Sequence, residues 1–126
     1  MRIFKNRWFE KYARKQAIPD GALVEAVERA ERGLVDADLG GGVVKQRIAR
    51  EAEGKSGGYR TIILFRSGER AVFVLGFAKS DRANLTALEL KAYREAAKIV
   101  LALNQRQIEA EVAAGRLMEV TSDEDL

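Results

Sequence analysis

The stretch Ile62-Ile63-Leu64-Phe65-Arg66-Ser67-Gly68-Glu69-Arg70-Ala71-Val72-Phe73-Val74-Leu75 decides how this chain folds. Two apolar runs flank Ser67-Gly68-Glu69, a tight-turn sequence, and so predict an antiparallel hairpin with strands over 59–66 and 70–77. Each run stays apolar over consecutive positions instead of alternating, the pattern of strands covered on both faces. The hairpin therefore forms the centre of a sheet, and the rest of the chain must supply the covering layers.

Upstream, Val43 to Ala49 predicts a further strand in which Val44 and Ile48 point to one face while Lys45 and Arg47 point to the other. Gly40-Gly41-Gly42 separates it from a helical region. Ile3-Phe4 predicts a short first strand, and Trp8, Phe9, Tyr12 and Ala13 share a helical face that marks the aromatics as core residues. Leu23, Val24, Val27 and Ala30 line a second helix between Pro19 and Arg32, with Gly33 as its stop and the first helix as its packing partner. Downstream, Thr86-Ala87-Leu88-Glu89 has capping-box form and opens a long helix whose stripe is Leu90, Tyr93, Ala97, Val100 and Leu101. Asn104 starts another helix, with Ile108 and Val112 inward and Gly115 at its end, followed by a mixed tail at Leu117-Met118-Glu119-Val120. The fold expected is α+β: a small antiparallel sheet with two N-terminal helices and a C-terminal helical segment. One domain spans residues 1–120, and 121–126 is expected to be a disordered acidic tail.

The composition narrows the chemistry. With 126 residues the chain can bury one modest core. Its 33% charged content and the lack of any apolar run near the roughly 20 residues of a membrane span argue for a folded, non-membrane domain. The start, Met1-Arg2-Ile3-Phe4-Lys5, lacks the pattern of an export signal, so a cytoplasmic location is expected. Cys and His are both absent, which removes disulfides, the usual zinc sites and Ser-His-Asp catalysis. No cofactor is expected, since the scattered carboxylates have no metal-binding spacing. Gly54-Lys55-Ser56 fails as a nucleotide phosphate loop because Ala49 stands where its first glycine is needed and a strand follows instead of a helix. Gly40-Gly41-Gly42 precedes a strand and is no dinucleotide fingerprint. Charge is polarised along the chain: Arg2, Lys5, Arg7, Lys11, Arg14 and Lys15 face only Glu10 near the start, whereas acidic residues dominate beyond Asn104.

Three segments carry a resemblance: Val44-Lys45-Gln46-Arg47-Ile48-Ala49, Gly54-Lys55-Ser56-Gly57-Gly58-Tyr59-Arg60-Thr61 and Phe77-Ala78-Lys79-Ser80-Asp81-Arg82-Ala83-Asn84-Leu85. As a linked series, together with Arg2-Ile3-Phe4-Lys5, Glu28 to Leu34 and Asp36 to Gly42, they resemble the RelE/HigB-like toxins of bacterial type II toxin–antitoxin systems, within the RelE/ParE superfamily. The resemblance covers roughly the first 100 residues, and the segment after about Leu103 departs from the shortest relatives. It implies a toxin that cuts or blocks mRNA on the ribosome and is held inactive by a cognate antitoxin, often a helix-turn-helix protein. DNA would be reached only through the antitoxin complex.

Cleavage of RNA by its own 2′-hydroxyl requires removal of one proton, neutralisation of charge at phosphorus and protonation of the departing 5′ oxygen. Without His, cationic side chains are the candidates. Arg47, Arg60 and Lys79 are assigned to the phosphate, and Lys45 or Lys55 to proton transfer, since crowded positive charge favours a neutral Lys. Arg50 and Arg82 are expected to bind RNA. Gly57 and Gly58 would let the backbone approach RNA, or serve only as a loop before a strand. Tyr59 stacks on a base if its ring faces outward, and otherwise fills the core or the sheet edge. The leading function is a ribosome-dependent mRNA endoribonuclease that inhibits translation. The alternatives are a noncatalytic inhibitor of another target such as gyrase, and a co-repressor acting with its antitoxin.

Overall fold

The computed structural model describes residues 1–50 and 54–121, with backbone alone at 50 and 54–57. The expected acidic tail lies almost wholly outside the described residues.

Six strands and four helices follow in the order β1 (Arg2–Asn6), α1 (Arg7–Gln16), α2 (Asp20–Glu31), β2 (Ala37–Asp38), β3 (Val43–Arg50), β4 (Gly54–Arg66), β5 (Arg70–Ala78), α3 (Ala87–Val100), α4 (Gln105–Ala113) and β6 (Leu117–Glu119). Each helix begins and ends where its sequence offers the orphan backbone groups a partner. Asn6 caps α1 by accepting from the Phe9 amide at 2.8 Å. The two capping boxes, Thr86/Glu89 on α3 and Asn104/Gln107 on α4, are both closed. Gly33, at φ 79°, ends α2 as the sequence predicts. Helix α1 ends instead on Ala17, the one non-glycine residue with positive φ among those described, at 57°. Its conformation is fixed by the Ile18 amide reaching back to the Ala13 carbonyl at 2.8 Å.

The strand order is β2-β3-β4-β5-β1-β6. The central hairpin forms as predicted, with Arg66 opposite Arg70 across the turn. The sheet is mixed and not purely antiparallel, because β1 runs parallel to β5. A hairpin loop forces its strands to be antiparallel, but β1 is joined to the sheet through two helices, and such a long crossover lets it lie alongside β5 in the same direction. The tail expected at Leu117-Met118-Glu119-Val120 is β6, antiparallel to β1, with the Val120 amide donating to the Ile3 carbonyl at 2.8 Å. At the opposite edge β2 is only two residues long. Beyond it the Arg47 amide donates to the Asp36 carboxylate and the Arg47 carbonyl accepts from Arg29 at 2.5 Å, so side chains close part of that edge to further pairing.

Both faces of the hairpin are buried. Phe9, Ala13, Leu23, Ala26 and Val27 of α1 and α2 pack on Ile48, Ile63, Ala71 and Phe73. Ala97, Leu101 and Ile108 of α3 and α4 pack on Phe4, Val43, Ile62, Leu64, Val72 and Val74. The first two helices dock side by side on the sheet, α1 chiefly against β5 and α2 chiefly against β3, more than on each other. Trp8 departs from its expected core position and is 46% exposed. A bulge where Ile62 and Ile63 face Leu75 and Phe73 puts both Val74 and Leu75 on the α3 side and resets the alternation of β5.

A left-handed Ala costs roughly 1 kcal/mol that Gly avoids. Ala17→Gly is therefore expected to raise the thermal midpoint by roughly 3–5 °C, measured by circular dichroism. An unchanged or lowered midpoint would refute strain at this cap.

Candidate functional site

Strand register assembles a basic row on the α3 side of the sheet. Arg47 lies opposite Arg60, and Arg60 opposite Phe77. One row further along, Lys45 lies opposite Ile62 and Ile62 opposite Leu75. Ile62, Leu75 and Phe77 belong to the α3-side core, so Lys45, Arg47 and Arg60 share that face. The alternation in the sequence predicts the shared face of Lys45 and Arg47, and the register of β4 adds Arg60 to it.

Arg60 is the anomaly. It is only 5% exposed, and its Nη1 is the one buried side-chain polar atom among the described residues without a hydrogen-bond partner. Its neighbour Gln46, fully buried, shows how this sheet treats a polar group that serves structure. The Gln46 amide donates to the carbonyls of Ala26 and Leu34 at 2.9 and 3.0 Å and accepts from the Asp36 amide at 3.1 Å. A buried charged donor left unmatched costs about 1–3 kcal/mol or more, so a purely structural position would favour an apolar side chain. The unmatched donor suits an anion supplied from outside the chain.

The loop after β5 is tied beside this row at two points. Lys45 Nζ donates to Asn84 Oδ1 at 2.9 Å. Arg82 makes a two-pronged contact with Glu89 at 2.8 and 3.0 Å, and its guanidinium stands 4.9 Å from the centre of the Phe77 ring. Glu89 also accepts from the Thr86 amide, so one carboxylate both caps α3 and holds Arg82. These contacts, the Arg82 fork first, pull the Glu89 carboxyl down to about 2. Burial, followed by the Glu89 charge, pushes the nearby Tyr93 phenol up. Arg47 is half exposed and its Nε lies 3.6 Å from Asp36.

The other expected site residues fall differently. Lys79 is exposed just beyond β5 and has no partner among the described residues. The side chains of Arg50 and Lys55 lie outside the described residues. Gly57 and Gly58 form no loop, since both are within β4, and Gly58 is buried. Tyr59 is turned to the opposite face, 5% exposed, where its ring meets Tyr12 edge-on at 6.0 Å. The outward ring that base stacking requires is therefore not found, because in a strand Tyr59 must point away from Arg60. Phe77, Asn84 and Glu89 were not singled out as site residues. Glu89 is visible in the sequence only as a cap, and nothing in the spacing pairs it with Arg82.

The family model described as the RelE toxin of the RelE/RelB toxin–antitoxin system matches residues 1–120. The chain belongs to the RelE toxin family. As a RelE-family toxin it has a cognate antitoxin for a partner. The match runs through α4 and β6, so the segment after Leu103 is part of the family domain. No curated protein matches the chain significantly. Among the described residues there is no cluster of His, Cys, Asp and Glu able to hold a metal ion, and no helix long and apolar enough to cross a membrane.

The Glu89 carboxyl is depressed in the folded protein, so the stability it contributes is present above the ordinary carboxylate range and fades as pH falls toward about 2. A carbon-detected NMR titration should place its midpoint near the bottom of that window. A midpoint at the usual Glu value would show that the Arg82 clamp does not form in solution.

Proposed function

We propose that this RelE-family toxin is a ribosome-dependent mRNA endoribonuclease that inhibits translation, with the Arg60 row as its phosphate site. The observation that carries the reading is the buried Arg60 guanidinium with an unmatched donor, in register with Arg47 and beside Lys45. Arg60 and Arg47 clamp the scissile phosphate, with Lys79 approaching from the end of β5. Lys45 or Lys55 serves as the base that accepts the proton of the 2′-hydroxyl as its oxygen bonds to phosphorus. The bond to the 5′ oxygen breaks, a protonated Lys supplies the proton that oxygen takes up, and the products are a 2′,3′-cyclic phosphate and a 5′-hydroxyl. Arginine stabilises the charge that accumulates on phosphorus between these events. Arg82, whose guanidinium stands over the buried Phe77 ring, replaces Tyr59 as the group beside the row that can meet a base.

The partner assigned to the basic row is mRNA on the cytoplasmic ribosome. The cognate antitoxin, proposed to be a helix-turn-helix protein, silences it with acidic or apolar segments that complement the same face.

Arg60→Met separates function from folding. It removes a buried unmatched charge, so the variant should be as stable as the parent or up to about 2 kcal/mol more stable. Cleavage of ribosome-bound mRNA, followed by mapping new RNA ends, should fall by about a hundredfold or more. Undiminished cleavage would refute the phosphate site. Toxicity of the parent without new RNA ends, but with DNA damage, would instead support a gyrase-type target. A paired complex that binds operator DNA while the free protein is inert would support the co-repressor reading.

A further inference from the structure

Helix α1 carries Trp8, Lys11, Tyr12 and Lys15 at spacings that place them on one face. The sequence predicts Trp8, Phe9, Tyr12 and Ala13 as a core face; Phe9 and Ala13 are buried, Tyr12 packs half-buried against the core, and Trp8, Lys11 and Lys15 are exposed. Trp8, Lys11, Tyr12 and Lys15 line an open concavity of about 250 Å³. Trp8 and Tyr12 are stacked, with ring centres 5.1 Å apart and planes 16° from parallel.

The stack is seated on the sheet. A methyl group at Gly76 would come within 2.5 Å of Tyr12 Cε2 and 2.8 Å of Cδ2, so the Tyr12 ring lies directly on the β5 backbone. Phe9 and Tyr59 hold it from the sides, at 6.0 Å each. Trp8 is thereby a pre-ordered aromatic surface that need lose little freedom on binding. Lys11 and Lys15, both exposed, have no ion-pair partner among the described residues. The nearest acid on this helix, Glu10, is already engaged by Lys5 at 2.8 Å and Arg14 at 2.6 Å. A flat exposed ring beside two uncompensated cations fits a nucleobase together with a neighbouring phosphate. An acidic peptide would use the charges and leave the stacked plane without a matching surface.

We propose that the Trp8–Tyr12 stack, flanked by Lys11 and Lys15, is a second RNA-binding surface that takes an unstacked base of single-stranded RNA. It lies on the sheet face opposite the Arg60 row and does not depend on the endoribonuclease reading. Bound there, ribosomal or messenger RNA would orient the toxin without entering the phosphate site.

Trp8 is the sole tryptophan of the chain, so its fluorescence reports the event directly. Titration of the full-length protein with single-stranded oligoadenylate RNA should quench Trp8 saturably and weaken with added salt. The double variant Lys11→Glu, Lys15→Glu, which breaks no hydrogen bond or ion pair among the described residues, should bind about tenfold more weakly. Arg60→Met should quench as the parent does, which distinguishes this surface from the phosphate site. The assignment is overturned by an absence of saturable quenching, by quenching that survives the charge reversal, by loss of quenching in Arg60→Met, or by equal quenching with an oligoglutamate peptide.

Discussion

The pairing of β4 with β5, buried from both sides, is the constraint on which the molecule depends. Ile62, Leu64, Val72 and Val74 need cover from α3 and α4, while Ile63 and Phe73 need it from α1 and α2. A hairpin apolar on both faces is unstable alone in water, so the helices and the sheet must form together. The β5 bulge then sets what lies at the far end of the hairpin. Because Val74 and Leu75 share a face, Gly76 turns toward α1 and Phe77 toward α3. Regular alternation would exchange them, taking away the flat seat under Tyr12 and the ring under Arg82. One extra residue in β5 thus shapes both of the surfaces assigned to RNA.

Arg60 shows the cost of burying a cation within such a sheet. Its row on β4 continues the apolar positions of Ile62 and Leu64, and an apolar residue there would extend the α3-side core. Instead the core stops at Phe77, and the loop beyond β5 is held in place by polar contacts, Lys45 to Asn84 and Arg82 to Glu89. Exposed ion pairs of this kind contribute little stability, about 0–1 kcal/mol each. Their contribution is geometric: they fix the loop that carries Lys79 and Arg82 beside a guanidinium that lacks an acceptor among the described residues. Glu89 performs this with the same carboxylate that starts α3, so helix capping and loop placement are one device.

What could be read from the sequence was whatever depends on near neighbours. The hairpin, the Thr86/Glu89 capping box, the helix start at Asn104, the Gly33 stop and the shared face of Lys45 and Arg47 follow from short spacings and hold in the structure. What escaped depends on partners far along the chain. Leu117 to Glu119 becomes a strand because β1 offers a free edge, and β1 can run parallel to β5 because two helices and three strands lie between them in the chain. The facing of Tyr59 follows from the register of β4, which no local pattern reveals in a strand apolar on both faces. Trp8 and Phe9 are adjacent, and helical spacing alone does not say which of the two the sheet will cover.

The polarity of the chain, basic at its start and acidic near its end, resolves in the same way. Because β6 pairs with β1, Arg2 meets both Glu109 and Glu119, at 2.6 and 2.8 Å. Those hydrogen bonds hold the Glu119 carboxyl below its usual range. Arg7 is taken up by the carbonyl of Gly115 at 2.9 Å, and Lys5 by Glu10 and Asp20. Much of the basic start is therefore neutralised within the fold, and a count of charges along the sequence overstates what a partner would meet. Among the cations left without an acceptor in the described residues are Lys11 and Lys15 on one side of the sheet and the Arg60 donor on the other, with Lys79 just beyond β5. A net charge of only +3 is thus compatible with two positive surfaces, because folding pairs many of the other charges with one another.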